Sequence, residues 1–151
     1  MRKLILSLLA VAVLGAGSAF AQSGLWVGVS SGWPGAALHF GVENVVNGLD
    51  VRANLNATYV FAFSVGADVL YGLDVDLGAL PLDTYVGGGL SLVFVPGAIG
   101  VGLGAFGGVE YRLTELDLPQ AGIFLEIGPD ILVVPAFGFG INGRLGFNWR
   151  F

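Results

Sequence analysis

Hydrophobic and polar positions alternate along the last fifteen residues of the chain, 137–151. The odd positions are almost all large and apolar; they are Phe137, Phe139, Ile141, Gly143, Leu145, Phe147, Trp149 and Phe151. A period of two predicts a β-strand with one apolar face and one polar face. The segment exceeds the roughly 5–6 residues of an ordinary globular strand. It is long enough to cross a bilayer at a tilt, which takes about 9–11 residues.

The same alternation recurs upstream and predicts eight strands in all, with a count of ten left open. We place the eight strands at 24–32, 36–43, 49–57, 60–70, 83–94, 99–112, 121–128 and 137–151. Turn-forming residues separate them, at Trp33-Pro34-Gly35, Asn44 to Gly48, Pro96-Gly97, Pro119-Gln120 and Gly128-Pro129-Asp130.

The charges in these strands all fall on the polar face. They include Asp50, Arg52, Asp68, Glu110, Arg112, Glu126, Arg144 and Arg150. An uncharged apolar face suits lipid, and strands can span a bilayer only as a closed barrel in which every backbone group is paired. A soluble barrel that binds an apolar ligand would need the opposite arrangement. We therefore predict an all-β, antiparallel, up-and-down transmembrane barrel with its charges in the lumen.

The first 21 residues have the pattern of a cleaved signal peptide. A basic start, Arg2-Lys3, precedes the apolar run 4–15. The predicted cleavage site is formed by Ala19, Ala21 and Gln22. The expected division is therefore a signal peptide at 1–21 and a barrel at 22–151, located in the outer membrane. The chain has no cysteine, so neither a lipid-anchoring thiol nor a disulfide is available.

Removal of the signal peptide changes the charge. The remaining chain has four arginines, no lysine and eleven acidic residues, which gives a formal charge of −7. Nucleic acid is excluded as a partner because no basic patch is available to neutralise phosphates.

Aromatic residues near the strand ends support a membrane location. Those on the apolar phase are Trp33, Tyr59, Phe61, Tyr71, Phe94, Tyr111, Phe137, Trp149 and Phe151. Transmembrane barrels carry such aromatic girdles at both membrane interfaces. Four further aromatics fall on the polar phase and would have to fill the lumen opposite glycines; they are Trp26, Tyr85, Phe106 and Phe124.

With its signal-like start, its alternating strands and its final Phe147-Asn-Trp149-Arg-Phe151, the chain resembles the small eight-stranded OmpA/OmpX-like outer-membrane barrels. The resemblance implies that Phe147, Trp149 and Phe151 form the signal read by the barrel-assembly machinery. It also implies that both termini lie in the periplasm. We expect a monomer surrounded by outer-membrane lipid. The expected surface loops are shorter and less charged than is usual in that family; they lie near 33–35, 57–59, 95–98 and 129–136.

The polar phase also predicts ion pairs inside the barrel. Arg52 and Asp68 are equidistant from a turn near residue 60, so they should face each other, and Arg144 should meet Glu126 in the same way. Glu110 and Arg112 lie on the same inner phase. Eight strands leave an interior just wide enough for side chains to fill. We expect an ion-paired polar plug.

Two stretches of sequence invite other interpretations. Residues 85–109 carry no charge and could be taken for a membrane helix, but nine glycines and Pro96 argue for two strands. Residues 102–107 match the GxGxxG pattern of dinucleotide sites, which requires a following helix that the sequence lacks. We interpret these glycines as small residues that make room in a narrow barrel.

Candidate chemistry is sparse. His39, the only histidine, shares the inner phase with Ser30, Ser64 and Ser91, and Glu43 lies four residues on, so a Ser–His–acid site is conceivable. No nucleophile motif surrounds any of these serines. Asp74 and Asp76 offer two oxygen ligands, which is fewer than Ca²⁺ requires. We expect no catalytic residue, no metal and no cofactor.

The sequence thus favours a non-enzymatic outer-membrane barrel with a structural role in the envelope. The main alternative is a narrow pore for ions or small solutes, because inner glycines at 100, 102, 104 and 108 could leave a gap. A lipid-modifying barrel enzyme that depends on His39 is a third hypothesis.

Overall fold

A computed structural model describes residues 24–59, 62–75, 81–134 and 137–151. The strands have nine to 17 residues each. They are β1 (Leu25–Trp33), β2 (Gly35–Val46), β3 (Leu49–Thr58), β4 (Phe63–Leu73), β5 (Leu82–Val95), β6 (Ala98–Leu113), β7 (Leu118–Val134) and β8 (Gly138–Arg150). The predicted signal peptide lies outside the described residues.

The eight strands form one closed antiparallel barrel in which each strand pairs with its neighbours in sequence. The barrel closes where β1 pairs with β8, with Val29 opposite Phe147. The predicted all-β, eight-stranded, up-and-down architecture is confirmed. Among the described residues, no helix is both long enough and apolar enough to cross a membrane.

Short connections join the strands at both ends of the barrel. At the end that holds Leu25 and Phe151, which we call the terminal end, β2 and β3 are joined by Asn47-Gly48, with Gly48 at φ 83°. At the opposite end, which we call the loop end, Pro34 separates β1 from β2 and Pro96-Gly97 separates β5 from β6. β3 runs to Thr58, so the connection to β4 begins later than the expected 57–59, and β4 begins at Phe63 and not at residue 60.

Two of the predicted turns in β7 are wrong. The strand runs through Pro119-Gln120 and through Gly128-Pro129-Asp130, and the turn before it is a single 3-10 helical turn, Thr114–Leu116. Pro129 still pairs with Ile141 of β8, whereas the β6–β7 pairing skips Gly128 and Pro129. Because proline lacks an N–H donor, it interrupts one of the two ladders and leaves the other intact.

The β2 strand is also longer than the turn chemistry predicted. It continues through Asn44 to Val46, and its register with β3 shifts between Val42 and Val46. Asn44 has φ 54°, and its N–H donates to Asp50 Oδ1 at 2.7 Å. A bulge at Asn44 therefore replaces the expected turn start, and the turn itself comes three residues later.

The outer surface of the barrel is apolar. Large side chains such as Phe139, Ile141 and Leu145 are exposed there. Every charged residue within the eight described strands lies on the opposite, inner phase. Most girdle aromatics named from the sequence are exposed on the outer face, while Phe94 is half-buried and stacks on Phe63 at 4.6 Å. Phe61 lies outside the described residues.

The interior is packed by aromatic rings that cover glycines on the neighbouring strand. Each of the four inner aromatics faces a glycine directly across the ladder; the pairs are Trp26–Gly41, Tyr85–Gly108, Phe106–Gly87 and Phe124–Gly146. A Cβ on any of these glycines would overlap the facing ring. The inner glycines at these positions therefore accommodate rings and do not leave gaps.

Candidate functional site: the charged lumen

Four charged side chains, which we call the central cluster, meet at mid-height in the lumen: Arg52, Asp68, Glu126 and Arg144. Arg52 donates to Asp68 Oδ2 from Nε at 3.0 Å and from Nη2 at 2.7 Å. Its Nη1 donates to Glu126 Oε1 at 2.6 Å. Arg144 Nε also donates to Glu126, and its Nη2 lies 3.7 Å from Asp68 Oδ2. The structure thus brings together both pairs that strand phase predicted.

The contact between Arg52 and Glu126 ties opposite walls of the barrel together, because β3 and β7 are separated by three strands on either side. The Arg52 side chain is 1% exposed and that of Glu126 is 0% exposed. Glu126 also accepts a hydrogen bond from the Tyr85 hydroxyl at 2.7 Å. A carboxylate with three donors satisfies the general condition for a buried charge, which must be paired and hydrogen-bonded.

The Phe106 ring lies beside the central cluster. The guanidinium carbon of Arg52 lies 4.9 Å from the centre of the Phe106 ring, and that of Arg144 lies 5.3 Å from it. Cations within about 6 Å of a ring face are attracted by its quadrupole. The ring therefore both fills the lumen beside the cluster and stabilises its two cations.

Two cavities flank the central cluster. The loop-end cavity has a volume of about 230 Å³, and its lining includes Asp68, Phe106 and Arg144. The terminal-end cavity has a volume of about 330 Å³, and its lining includes Arg52 and Tyr85. No residue lines both cavities. The central layer of side chains thus separates the two cavities within the described part of the chain.

A second group of charges, which we call the terminal-end cluster, consists of Glu43, Asp83, Glu110, Arg112 and Arg150. Arg150 donates to Glu43 at 2.5 Å and, from both terminal nitrogens, to the two Glu110 oxygens at 2.7 Å. Arg112 donates to Asp83 at 2.7 Å and lies 3.7 Å from Glu43. Glu110 and Arg112, predicted as lumen residues, thus join this group near the rim.

The sequence did not identify the pairing of Arg150. Its partners lie on β6 and β2, neither of which is adjacent to β8, so the contacts arise only when the barrel closes. The polar phase predicts that the Arg150 side chain points into the lumen, but strand pairing alone does not identify its partners on the far side of the lumen.

On the loop-end side of the central cluster, a chain of hydrogen bonds leads from Asp68 to Ser30. Asn54 Nδ2 donates to Asp68 Oδ2 at 2.7 Å, and Asn54 Oδ1 lies 2.7 Å from His39 Nδ1. His39 Nε2 lies 2.8 Å from Ser30 Oγ. His39 is fully buried, and its ring packs edge-on against Phe124 at 5.8 Å. Ser64 bonds Asn56 instead, at 2.9 Å.

The other residues singled out from the sequence lie as follows. Phe147 and Trp149 are on the outer face of β8, and Phe151 follows it with its N–H bonded to the Leu25 carbonyl at 2.9 Å. Ala19, Ala21 and Gln22 lie outside the described residues. The GxGxxG segment 102–107 lies within β6, and a Cβ at Gly102 would approach Ser91 Oγ to 2.6 Å.

The described residues contain no group of three or more histidine, cysteine or acidic side chains placed to hold a metal ion. Asp74 lies in the β4–β5 connection, and Asp76, the other aspartate considered for Ca²⁺, is outside the described residues.

No protein-family model matches the sequence, and no curated protein matches it. Two solved structures share the fold. A de novo designed transmembrane β-barrel aligns with a TM-score of 0.51 at 17% identity, over 85% of this chain and 94% of that chain. The N-terminal β-barrel domain of Pseudomonas aeruginosa OprF aligns with a TM-score of 0.50 at 13% identity, over 85% and 96%. At these identities the likeness shows the fold alone: this chain has the eight-stranded fold of transmembrane, outer-membrane-type barrels.

Proposed function

We propose that the protein is a monomeric outer-membrane barrel whose role is structural, with a lumen closed by the central cluster. The observation that carries this proposal is the buried Arg52–Glu126 contact, which joins opposite walls between two separate cavities. Such a cross-link stabilises the wall and obstructs the path through it. The uncharged outer face of the strands supports a location in lipid.

The route to the membrane is part of the same proposal. Residues 1–21 direct export and are cleaved before Gln22. The barrel-assembly machinery then reads Phe147, Trp149 and Phe151. The exposure of these three aromatics on one face at the end of the chain supports this assignment, because a partner could contact them together.

Planar-bilayer conductance of the folded protein tests the closed lumen, with heat-dependent gel mobility as the control for folding. We expect a heat-modifiable band and a silent bilayer. Stable unitary steps from folded wild-type protein would contradict the closed lumen. A protein that stays soluble without detergent and shows no heat-modifiable band would contradict the membrane barrel itself.

A narrow pore is the second candidate, because cavities of about 230 and 330 Å³ lie on the two sides of the central cluster and Phe106. Replacing both Arg52 and Phe106 with alanine should join the cavities, so this variant serves as the open reference. A wild-type conductance equal to that of the double variant would favour the pore over the structural role.

A further inference from the structure

The hydrogen bonds that link Ser30, His39 and Asn54 to Asp68 have only one possible assignment of donors and acceptors. Asp68 pairs with Arg52 as a carboxylate and can only accept, so the group of Asn54 that faces it must be the Nδ2 donor. Asn54 Oδ1 therefore faces His39 Nδ1 and requires it to carry the proton. This leaves a lone pair on His39 Nε2, 2.8 Å from Ser30 Oγ, so the Ser30 hydroxyl must be the donor.

This arrangement matches the requirement for an activated serine. A catalytic serine needs a base within about 2.6–3.2 Å and a third group that orients the base. His39 meets the first condition and Asn54 the second, with Asn54 itself held by Asp68. The three residues come from three adjacent strands, β1, β2 and β3, so the geometry is set by the sheet and not by a mobile loop.

Ser30 also borders empty space. It is 7% exposed, on the inner face of β1, and it lines the loop-end cavity. Its inward-facing lining includes the apolar side chains of Val93, Phe106 and Leu132, beside polar side chains such as Asn56, Ser64 and Ser91. A small apolar group could lie in this cavity beside the serine hydroxyl.

We propose that Ser30 is a base-activated nucleophile, with His39 as its base, that accepts the acyl group of a short-chain ester entering the loop-end cavity. Asn54 and Asp68 are positioning residues that hold His39 in the required tautomer. This inference is independent of the structural role proposed above and departs from the expectation of no catalytic residue.

The reaction balances with water as the only co-reactant. Ser30 Oγ bonds to the ester carbonyl carbon while its proton passes to His39 Nε2. The carbon–oxygen bond of the ester then breaks, and the alcohol leaves with the proton from Nε2. Water attacks the acyl-serine and gives a proton to Nε2, which returns it to Ser30 Oγ as the carboxylic acid departs.

The negative charge that develops on the carbonyl oxygen needs a donor from a side chain. Backbone groups around Ser30 are committed to the β1–β2 and β1–β8 ladders. Arg144 lies on the adjacent strand, where it pairs with Gly32, two residues from Ser30, and it lines the same cavity. Its Nε donates to Glu126 and its Nη2 lies near Asp68, so we assign Nη1 as the donor to the oxyanion.

The test uses the full folded protein in detergent micelles with p-nitrophenyl butyrate as the probe. We expect a burst of nitrophenolate and the mass increase of one butyryl group, mapped by peptide mass to Ser30. Ser30→Ala should abolish both signals. Ser31→Ala, the matched control at an exposed serine next in the chain, should retain them.

His39→Gln tests the base, because it keeps a polar group at the site but removes the proton acceptor. We expect acylation to slow by about 10²-fold or more. No adduct on folded wild-type protein, an adduct on another residue, or wild-type rates in folded His39→Gln would overturn the proposal. If His39→Gln fails to fold, the mapped site of acylation in the wild-type protein decides alone. A negative result leaves the structural role, tested by conductance, untouched.

Discussion

The central and terminal-end clusters are built from the same bonds but differ in their surroundings. Both join arginines to carboxylates at about the same distances, 2.6–2.7 Å for Arg52–Glu126 and Arg112–Asp83. The Arg52 and Glu126 side chains are 1% and 0% exposed, whereas those of Arg112 and Asp83 are 37% and 57% exposed. Judged by these distances alone, the two pairs would be expected to contribute equally to stability.

The difference in burial changes what each cluster contributes. Loss of one partner in a buried pair leaves an uncompensated charge that cannot return to water, whereas an exposed partner is simply rehydrated. Exposed pairs are also screened by salt. We infer that the central cluster controls the stability of the barrel and that the Arg112 end of the terminal-end cluster contributes little.

The largest effect is expected from Glu126→Ala. This change removes the acceptor shared by Arg52, Arg144 and Tyr85. It leaves the buried guanidinium of Arg52 and the partly buried one of Arg144 with Asp68 as their remaining acidic partner in the cluster. We expect the free energy of unfolding to fall by about 3–5 kcal/mol. Urea titration of the protein in lipid vesicles, followed by tryptophan fluorescence, measures this quantity.

Arg52→Ala provides a graded comparison within the same cluster. Arg144 remains close to both Glu126 and Asp68, so the loss should be smaller than for Glu126→Ala but still measurable. Unchanged unfolding of Arg52→Ala would show that the cross-lumen contact does not stabilise the barrel, and the contrast between the clusters would then fail.

Contacts between neighbouring strands were within reach of the sequence, and contacts across the lumen were not. Arg52 and Asp68 could be paired because a hairpin fixes its own register. The Arg52–Glu126 contact spans 74 residues, and it depends on barrel closure and on side-chain length. The Ser30–His39–Asn54 chain also joins neighbouring strands, and the sequence offered Ser30 and His39 for a Ser–His–acid site with Glu43. It did not offer Asn54, which pairs with His39 in the β2–β3 register and takes the place expected for the acid.

The eight-stranded architecture was predictable because the period-two pattern persists through nearly every strand. The errors in β7 arose where turn-forming residues lie inside a strand. Pro119, Gly128 and Pro129 are turn-formers by local chemistry, but the neighbouring strands extend β7 beyond them. At Pro129, pairing with β8 overrides the local turn preference, and the missing N–H interrupts only the ladder with β6.

A second, smaller contrast concerns side-chain packing at mid-height in the lumen and near the rim of the barrel. An alanine Cβ at Gly146 would lie 2.6 Å from the Val29 carbonyl oxygen and would overlap the Phe124 ring, while a Cβ at Gly72, near the rim, has nothing within 4 Å. We expect Gly146→Ala to destabilise the barrel by about 1–3 kcal/mol, the usual range for overpacking. Gly72→Ala is the matched control and should change stability by less than about 0.5 kcal/mol. Equal effects in urea titration would mean that the lumen is not tightly packed at mid-height.

The smallest effect is expected from Arg112→Ala. Arg112 bonds Asp83 at the rim, where both side chains are substantially exposed, so their charges can be hydrated when the pair is lost. We expect a loss of about 0.2–1 kcal/mol in low salt. Because the screening length falls from about 10 Å at 0.1 M salt to about 3 Å at 1 M, the loss should shrink further in high salt, whereas that of Glu126→Ala should persist. The measurement is the pair of urea titrations at both salt concentrations. The loss of unfolding free energy for Arg112→Ala could instead match that for Glu126→Ala and persist in high salt. This result would mean that Arg112 is shielded from water in the membrane. The exposure of a side chain in the isolated chain would then be the wrong measure of what its ion pair contributes.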